Sequence, residues 1–164
     1  GELIYILKEQ AKAKETDIDE QDSRLITGVL TLTNKLVHEH MRKRTEIMAI
    51  TEDSILNKET FNLIKEYKHS KLPIINKSGE VISIVNLKDI ISIDSSENRK
   101  ISEFMKDDFL RVSKNDFLDD VLSKMIEEKV GIAIVYGEFS DFDGFITLKD
   151  VLDEILLKEI HSEY

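Results

Sequence analysis

The chain has no cysteine, no tryptophan, one proline and six glycines in 164 residues. Without cysteine there are no disulfides, thiolate metal sites or cysteine nucleophiles, and a reducing, cytoplasmic setting is expected. So little proline and glycine argues against a long structureless linker. No apolar run approaches the about 20 residues that cross a bilayer. The polar, lysine-containing start is unlike a signal peptide. Positive charge is also short. Twenty-three Lys and Arg stand against 33 Asp and Glu, for a net charge of −10. That excludes the broad basic surface needed for non-specific nucleic-acid or anionic-membrane binding. Any bound polyphosphate would need helix N-termini, a few basic residues or a divalent cation.

What remains is ordinary for a globular protein, with 41% hydrophobic and 34% charged residues. The length fits one compact domain or two small intertwined ones. Residues 1–36 read as a helical lead-in. One helix runs from Glu2 to Lys14 on Leu3, Ile4, Ile6 and Leu7. A second runs from about Glu20 to Leu32, capped by Asp19 or Asp22, with Leu25, Ile26, Val29 and Leu30 as its stripe.

The chain then repeats itself, over residues 37–100 and 101–164. Val37-His38-Glu39-His40-Met41 opens one copy and Ile101-Ser102-Glu103-Phe104-Met105 the other. A short strand follows, Ile47 to Ile50 or Phe109 to Val112. An amphipathic helix comes next, on Ile55, Phe61, Leu63, Ile64 and Tyr67 or on Phe117, Leu118, Val121, Leu122, Met125 and Ile126. A hairpin follows: Leu72 to Ile75 with Val81 to Val85 around a turn at 76–79, and Ile132 to Tyr136 with Phe145-Ile146 around a loop at 137–143. A closing helix opens at Asn86-Leu87-Lys88-Asp89 and at Thr147-Leu148-Lys149-Asp150. Each copy is a βαββα unit of α/β (α+β) class. One such unit leaves a sheet face bare. A tandem pair about a pseudo-twofold axis covers it and leaves a cleft where small ligands bind.

The segments His69-Ser70-Lys71-Leu72-Pro73-Ile74-Ile75, Ile84-Val85-Asn86-Leu87-Lys88-Asp89 and Gly144-Phe145-Ile146-Thr147-Leu148-Lys149-Asp150 resemble the CBS-domain pair, or Bateman module. The stretch from Leu25 to Leu32, Val37 to Met41, and the ending from Gly144 to Leu156 are similar to the pair in cyclin-M and CorC-type magnesium transport proteins. The resemblance implies a cytosolic regulatory module, attached to a transmembrane domain, that binds ATP or AMP, with or without Mg2+, and dimerises into a disc. It implies no enzyme activity.

Thr147 and Asp150 stand where a strand gives way to a helix. The helix N-terminus suits a phosphate. A Thr hydroxyl there can bond a phosphate or ribose oxygen, and an Asp one turn on can accept both ribose hydroxyls. Thr-x-x-Asp before an apolar run is equally a capping arrangement. Lys149 sits in the first helical turn, where it can reach for an anion. By the resemblance, adenine lies against the first strand of the same repeat, at Phe109, Leu110, Arg111 and Val112; Arg111, a charge in a short strand, faces solvent or ligand.

Asn86 and Asp89, with Thr45 and Ile47, form a doubtful second site. Asn is a good cap in its own right, and Asn86 stands where the family has Ser or Thr. Arg42-Lys43-Arg44 replaces the family's Thr-Pro after Met41, and reads as a phosphate clamp or a solvated loop. His38, His40, His69 and His161 have no metal-ligand spacing and read as surface or interface residues. Glu138, Asp141 and Asp143 lack the ligand density of a calcium loop. By the resemblance, their loop matches a partner-docking loop. No nucleophile–base pair, paired-carboxylate site or metal cluster is recognisable. The competing reading is a dimerisation or protein-interaction scaffold with a vestigial nucleotide site.

Overall fold

A computed structural model describes Tyr5, residues 28–30 and residues 32–162, and the side chains of these except Glu46 and residues 157–162. The helical stripe expected at Leu3, Ile4, Ile6, Leu7, Leu25 and Ile26 lies outside them. Residues 28–30 are helical as expected, and Gly28 lets that segment press against Ile155.

A short helix, α1 (Val37–His40), leads into β1 (Arg42–Lys43), a 3-10 turn at Arg44–Glu46 and β2 (Ile50–Thr51). Helix α2 (Lys58–Lys65), β3 (Lys71–Ile75) and β4 (Val81–Asn86) complete the first repeat. A 3-10 turn at Ile101–Phe104 opens the second repeat. It continues with β5 (Leu110–Ser113), α3 (Leu118–Glu128), β6 (Ile132–Tyr136), β7 (Phe142–Thr147) and α4 (Leu148–Ser162). The strands form a three-stranded sheet, β2-β3-β4, and a four-stranded one, β1-β7-β6-β5.

Three clusters make the core. One fills the space between the second sheet and its helices, including Leu110, Val112, Leu122 and Val151. The second does the same for the first sheet, with Leu56, Leu72, Ile74 and Val85. The third, including Val81, Ile84, Phe109, Ile132, Ile134, Phe142 and Phe145, is sealed between the two sheets. Face-to-face packing of the sheets is thus what covers the bare face of each repeat.

The repeats exchange their opening segments. Val37 belongs to the second repeat's core, while Ile101 belongs to the first repeat's. The Val37 N–H donates to Asp116 O at 2.9 Å, and the Ile101 N–H to Ser54 O at 3.0 Å. Strand β1 joins the second sheet, with Arg42 opposite Phe145 and Lys43 opposite Gly144. Lys106 bridges back to Ile84 on the first sheet. The repeated glutamate explains the repeated opening sequence: Glu39 accepts from the Leu36 N–H at 3.3 Å and Glu103 from the Lys100 N–H at 3.2 Å.

Four expectations are corrected. The strand expected from Ile47 to Ile50 is only Ile50–Thr51, because the chain first pairs at Arg42–Lys43 with β7 and then turns; Ile47 and Ala49 pack between the sheets. Helix α2 excludes Ile55 and Tyr67, and Leu63 on it is 53% exposed. The closing helix of the first repeat is only a 3-10 turn, Leu87–Asp89. The following residues, Ile91-Ser92-Ile93-Asp94-Ser95-Ser96, are β-branched or compete for backbone hydrogen bonds, which disfavours a helix. Asp94 instead accepts from the Ser96 N–H at 2.9 Å and starts a separate 3-10 turn. Finally, β7 begins at Phe142, because burying that ring between the sheets draws the end of the expected loop into the strand.

Candidate functional site

Thr147 ends β7 and α4 starts at the next residue. The Asp150 N–H donates to Thr147 Oγ1 at 3.1 Å, and the Thr147 N–H donates to Asp150 Oδ2 at 3.2 Å. The pair is therefore a reciprocal cap in this structure. The other carboxylate oxygen, Asp150 Oδ1, accepts from the Arg42 guanidinium at 3.0 Å. Arg42 comes from the first repeat and reaches the junction because β1 is hydrogen-bonded to β7. Gly144 permits that approach, since a Cβ there would collide with the Arg42 carbonyl oxygen.

His69, also from the first repeat, completes the surroundings. Its ring stands edge-on to Phe145 at 5.5 Å and to Tyr67 at 5.2 Å between centroids. Burial holds the imidazole below its ordinary value; Arg42 lowers it further and Asp150 opposes them. Tyr67 donates to Lys71 O at 2.6 Å, and burial pushes its hydroxyl well above the usual tyrosine range. Lys71 lies alongside Gly131, at the start of β6. The junction thus gathers a hydroxyl, a carboxylate, a guanidinium and an imidazole from both repeats.

The first repeat holds a reduced copy. Lys106, the counterpart of Arg42, pairs with Asp89, the counterpart of Asp150, at 3.4 Å. Asn86 does not cap its turn; its amide oxygen accepts from Lys71 Nζ at 3.4 Å. Thr45 is exposed on the 3-10 turn and Ile47 is half-buried between the sheets, so neither sits beside Asn86 in the way Arg42 sits beside Asp150.

The other predicted residues divide. Phe109 is buried between the sheets, directly before β5 rather than in it. Leu110 and Val112 point into the helix-side core. Arg111 is exposed, lies over the Phe109 ring at 4.8 Å, and lines a cleft of about 550 Å³ with Glu80, Tyr136 and Ser140 at the hairpin end of the sheet. It does not join the Thr147 junction. Lys149 is exposed on the first turn of α4. Arg44 spans the hairpin tips, over Phe142 at 5.5 Å. His40 faces Glu154 at 3.6 Å. Sequence reasoning missed His69 and the two cross-repeat ion pairs. The signal for the pairs was a basic residue directly after Met41 and Met105 in both copies, matched by an aspartate opening both closing segments.

Among the described residues no group of three or more His, Cys, Asp or Glu could hold a metal, and no helix is long and apolar enough to cross a membrane.

The chain is 29% identical to the UPF0053 protein YhdP of Bacillus subtilis, over 99% of its own length and 37% of the relative's. It is 26% identical to the magnesium and cobalt efflux protein CorC of Salmonella typhimurium, over 99% of its own length and 55% of that protein's. It thus spans about a third to about half of these relatives. The fold superposes on the CBS domain of a bacterial CNNM/CorC-family Mg2+ transporter in complex with ATP, with a TM-score of 0.71, 27% identity, and 83% of this chain and 97% of that one covered. Residues 37–96 and 101–157 each match the CBS domain model. The chain belongs to the CBS domain family, as a tandem pair of that domain.

Proposed function

We propose that this pair is a non-catalytic sensor that binds an adenine nucleotide, as Mg-ATP, at the Thr147–Asp150 junction, and that occupancy regulates a membrane part transporting magnesium or another divalent cation. The observation that carries the reading is the junction itself. Thr147, Asp150 and the start of α4 present a hydroxyl, a carboxylate and the positive end of a helix in one place, and a 27% identical relative of the same fold is an ATP complex. On this reading Asp150 takes the ribose hydroxyls, Thr147 and Lys149 meet phosphate, and Phe109 borders the base. The module is then cytosolic, since that is where the nucleotide is. Residues 37–100 and 101–164 act as one unit, because each takes the other's opening segment into its core.

Calorimetric titration with AMP, ADP and ATP, with and without Mg2+, tests this. Saturable binding is expected, weakened about tenfold or more by Asp150→Asn, the scale of one hydrogen bond to a charged group. Absence of binding at millimolar nucleotide sinks it.

A dimerisation scaffold is the second reading. It is favoured by an apolar cleft of about 590 Å³ between α2 and the segment after β4, lined by Phe61, Ile64 and Ile91, the last at 77% exposure. That reading expects a stable dimer indifferent to nucleotide.

A further inference from the structure

His69 is held at the junction by its ring and not by its nitrogens. The imidazole stands edge-on to Tyr67 in its own repeat and to Phe145 in the other, at 5.2 and 5.5 Å between centroids. Among the described residues neither ring nitrogen makes a hydrogen bond or an ion pair. Nor does any buried side-chain nitrogen or oxygen there lack a partner, so the His69 nitrogens are reached by solvent, and by a ligand in the same place.

Three groups of the described residues face this ring. Tyr67 comes from its own segment, and burial keeps that hydroxyl protonated. Arg42 comes from β1 and disfavours a second positive charge; Asp150 comes from α4 and favours one. Burial and Arg42 together outweigh Asp150, so the imidazole of the empty junction is neutral at pH 7 and is harder to protonate than an ordinary histidine. A nucleotide changes that balance. Its phosphates bring several negative charges beside a ring that has N–H to donate, and a nearby anion favours the imidazolium. Proton uptake and nucleotide binding are then linked, and affinity rises as the pH falls.

The reduced copy in the first repeat has no such group. His69 stands two residues before β3, and the residue two before β6 is Val130, which packs on its own repeat's core. Only the complete Thr147–Asp150 junction has a titratable ring beside it.

We infer that His69, contributed by the first repeat, makes nucleotide binding at the second repeat's junction proton-linked: its imidazole is neutral in the empty site and becomes an imidazolium that meets phosphate in the filled one. The inference rests on the nucleotide-binding reading above and adds to it a regulation by pH.

The test is calorimetric titration of the 164-residue protein with ATP and saturating Mg2+, at pH 6.5 in two buffers of different ionisation enthalpy, which counts the protons taken up. Wild type is compared with His69→Gln, which keeps a hydrogen-bonding group, and His69→Phe, which keeps the ring packing. The terminal phosphate of ATP itself titrates at about pH 6, equally for all three proteins, so the difference between them belongs to His69. Wild type should take up about a third of a proton more than either variant. Between pH 7.5 and 6.0 its affinity should rise about threefold more than theirs, the scale of one ion pair near a surface. Equal uptake in all three proteins, less uptake by the wild type than by the variants, or an uptake kept by either variant overturns the inference while nucleotide binding stands. If the wild type does not bind ATP at any of these pH values, the nucleotide reading itself has failed and takes this inference with it. Thermal unfolding of each protein without ligand confirms that the compared proteins are folded.

Discussion

At the residue scale, Thr147 and Asp150 carry a structural duty that is visible without any ligand, beside the binding role proposed for them. Thr147 Oγ1 accepts the Asp150 N–H that would otherwise be an orphan donor of α4. Thr147→Ala is therefore expected to cost about 1 kcal/mol in ligand-free protein, read from urea unfolding, and Thr147→Ser to recover most of it. A binding defect in Thr147→Ala counts as functional only beyond that loss. His69 supplies a pH dependence whose sign follows from its environment. Its folded value lies below the ordinary 6.5, chiefly through burial, so the unfolded chain binds the proton more readily. Stability is full above about pH 6.5 and falls as the pH drops from there toward the folded value. Replacing His69 with Gln should flatten this part of the curve of unfolding free energy against pH between 7.5 and 5.5. A curve unchanged by the substitution would show that His69 is not its source.

At the element scale, what could be read in the sequence was what is local. The hairpins, α3 and the β7–α4 junction follow from runs of apolar residues, turn residues and a cap within a few positions of one another. The short closing turn of the first repeat was misread because its pattern, Leu87-Lys88-Asp89-Ile90-Ile91, matches Leu148-Lys149-Asp150-Val151-Leu152 until the β-branched and serine-rich residues beyond it. Strand β1 was invisible because two exposed basic residues carry no strand signal; their pairing partner lies about a hundred residues away, as does the carboxylate that Arg42 holds. Gly144 is the residue on which that pairing depends. A Cβ there meets the Arg42 carbonyl oxygen and lies 3.2 Å from the Met41 sulfur. Its counterpart in the first repeat is Ser83, opposite a segment that makes a single bridge and accepts the Ser83 hydroxyl at 3.0 Å. Gly144→Ala should cost about 1–3 kcal/mol, the usual range for overpacking, with faster amide exchange along β1. Gly131→Ala is the matched control. Its Cβ would meet only Lys71 Cε at 3.8 Å, and a change within about 0.5 kcal/mol is expected.

At the scale of the whole molecule, the two repeats are distinct in sequence but not in space. The second sheet takes its edge from Arg42–Lys43 and part of its core from Val29, Leu32 and Val37; the first takes Ile101 into its core and is bridged by Lys106. Lys35 ties the lead-in to α4 through Glu154, and Arg42 ties the first repeat to it through Asp150, both at 3.0 Å. The exchange also makes a stability prediction that separate domains would not. A fragment of residues 101–164 lacks the β1 edge, the Val37 plug and the facing sheet that buries Ile132, Ile134 and Phe145. A one-sided sheet of three strands with that face exposed cannot offset its ordering entropy. At low micromolar concentration this fragment and residues 28–100 should each melt without a cooperative transition by circular dichroism. Mixed in equal amounts they should regain one, because every exchanged contact runs between the two fragments and, within residues 28–164, only the peptide bond between Lys100 and Ile101 is missing. A cooperative, concentration-independent melt of residues 101–164 alone would show that the second repeat is a self-sufficient domain, and the exchanged segments would then be an attachment rather than a part of its core.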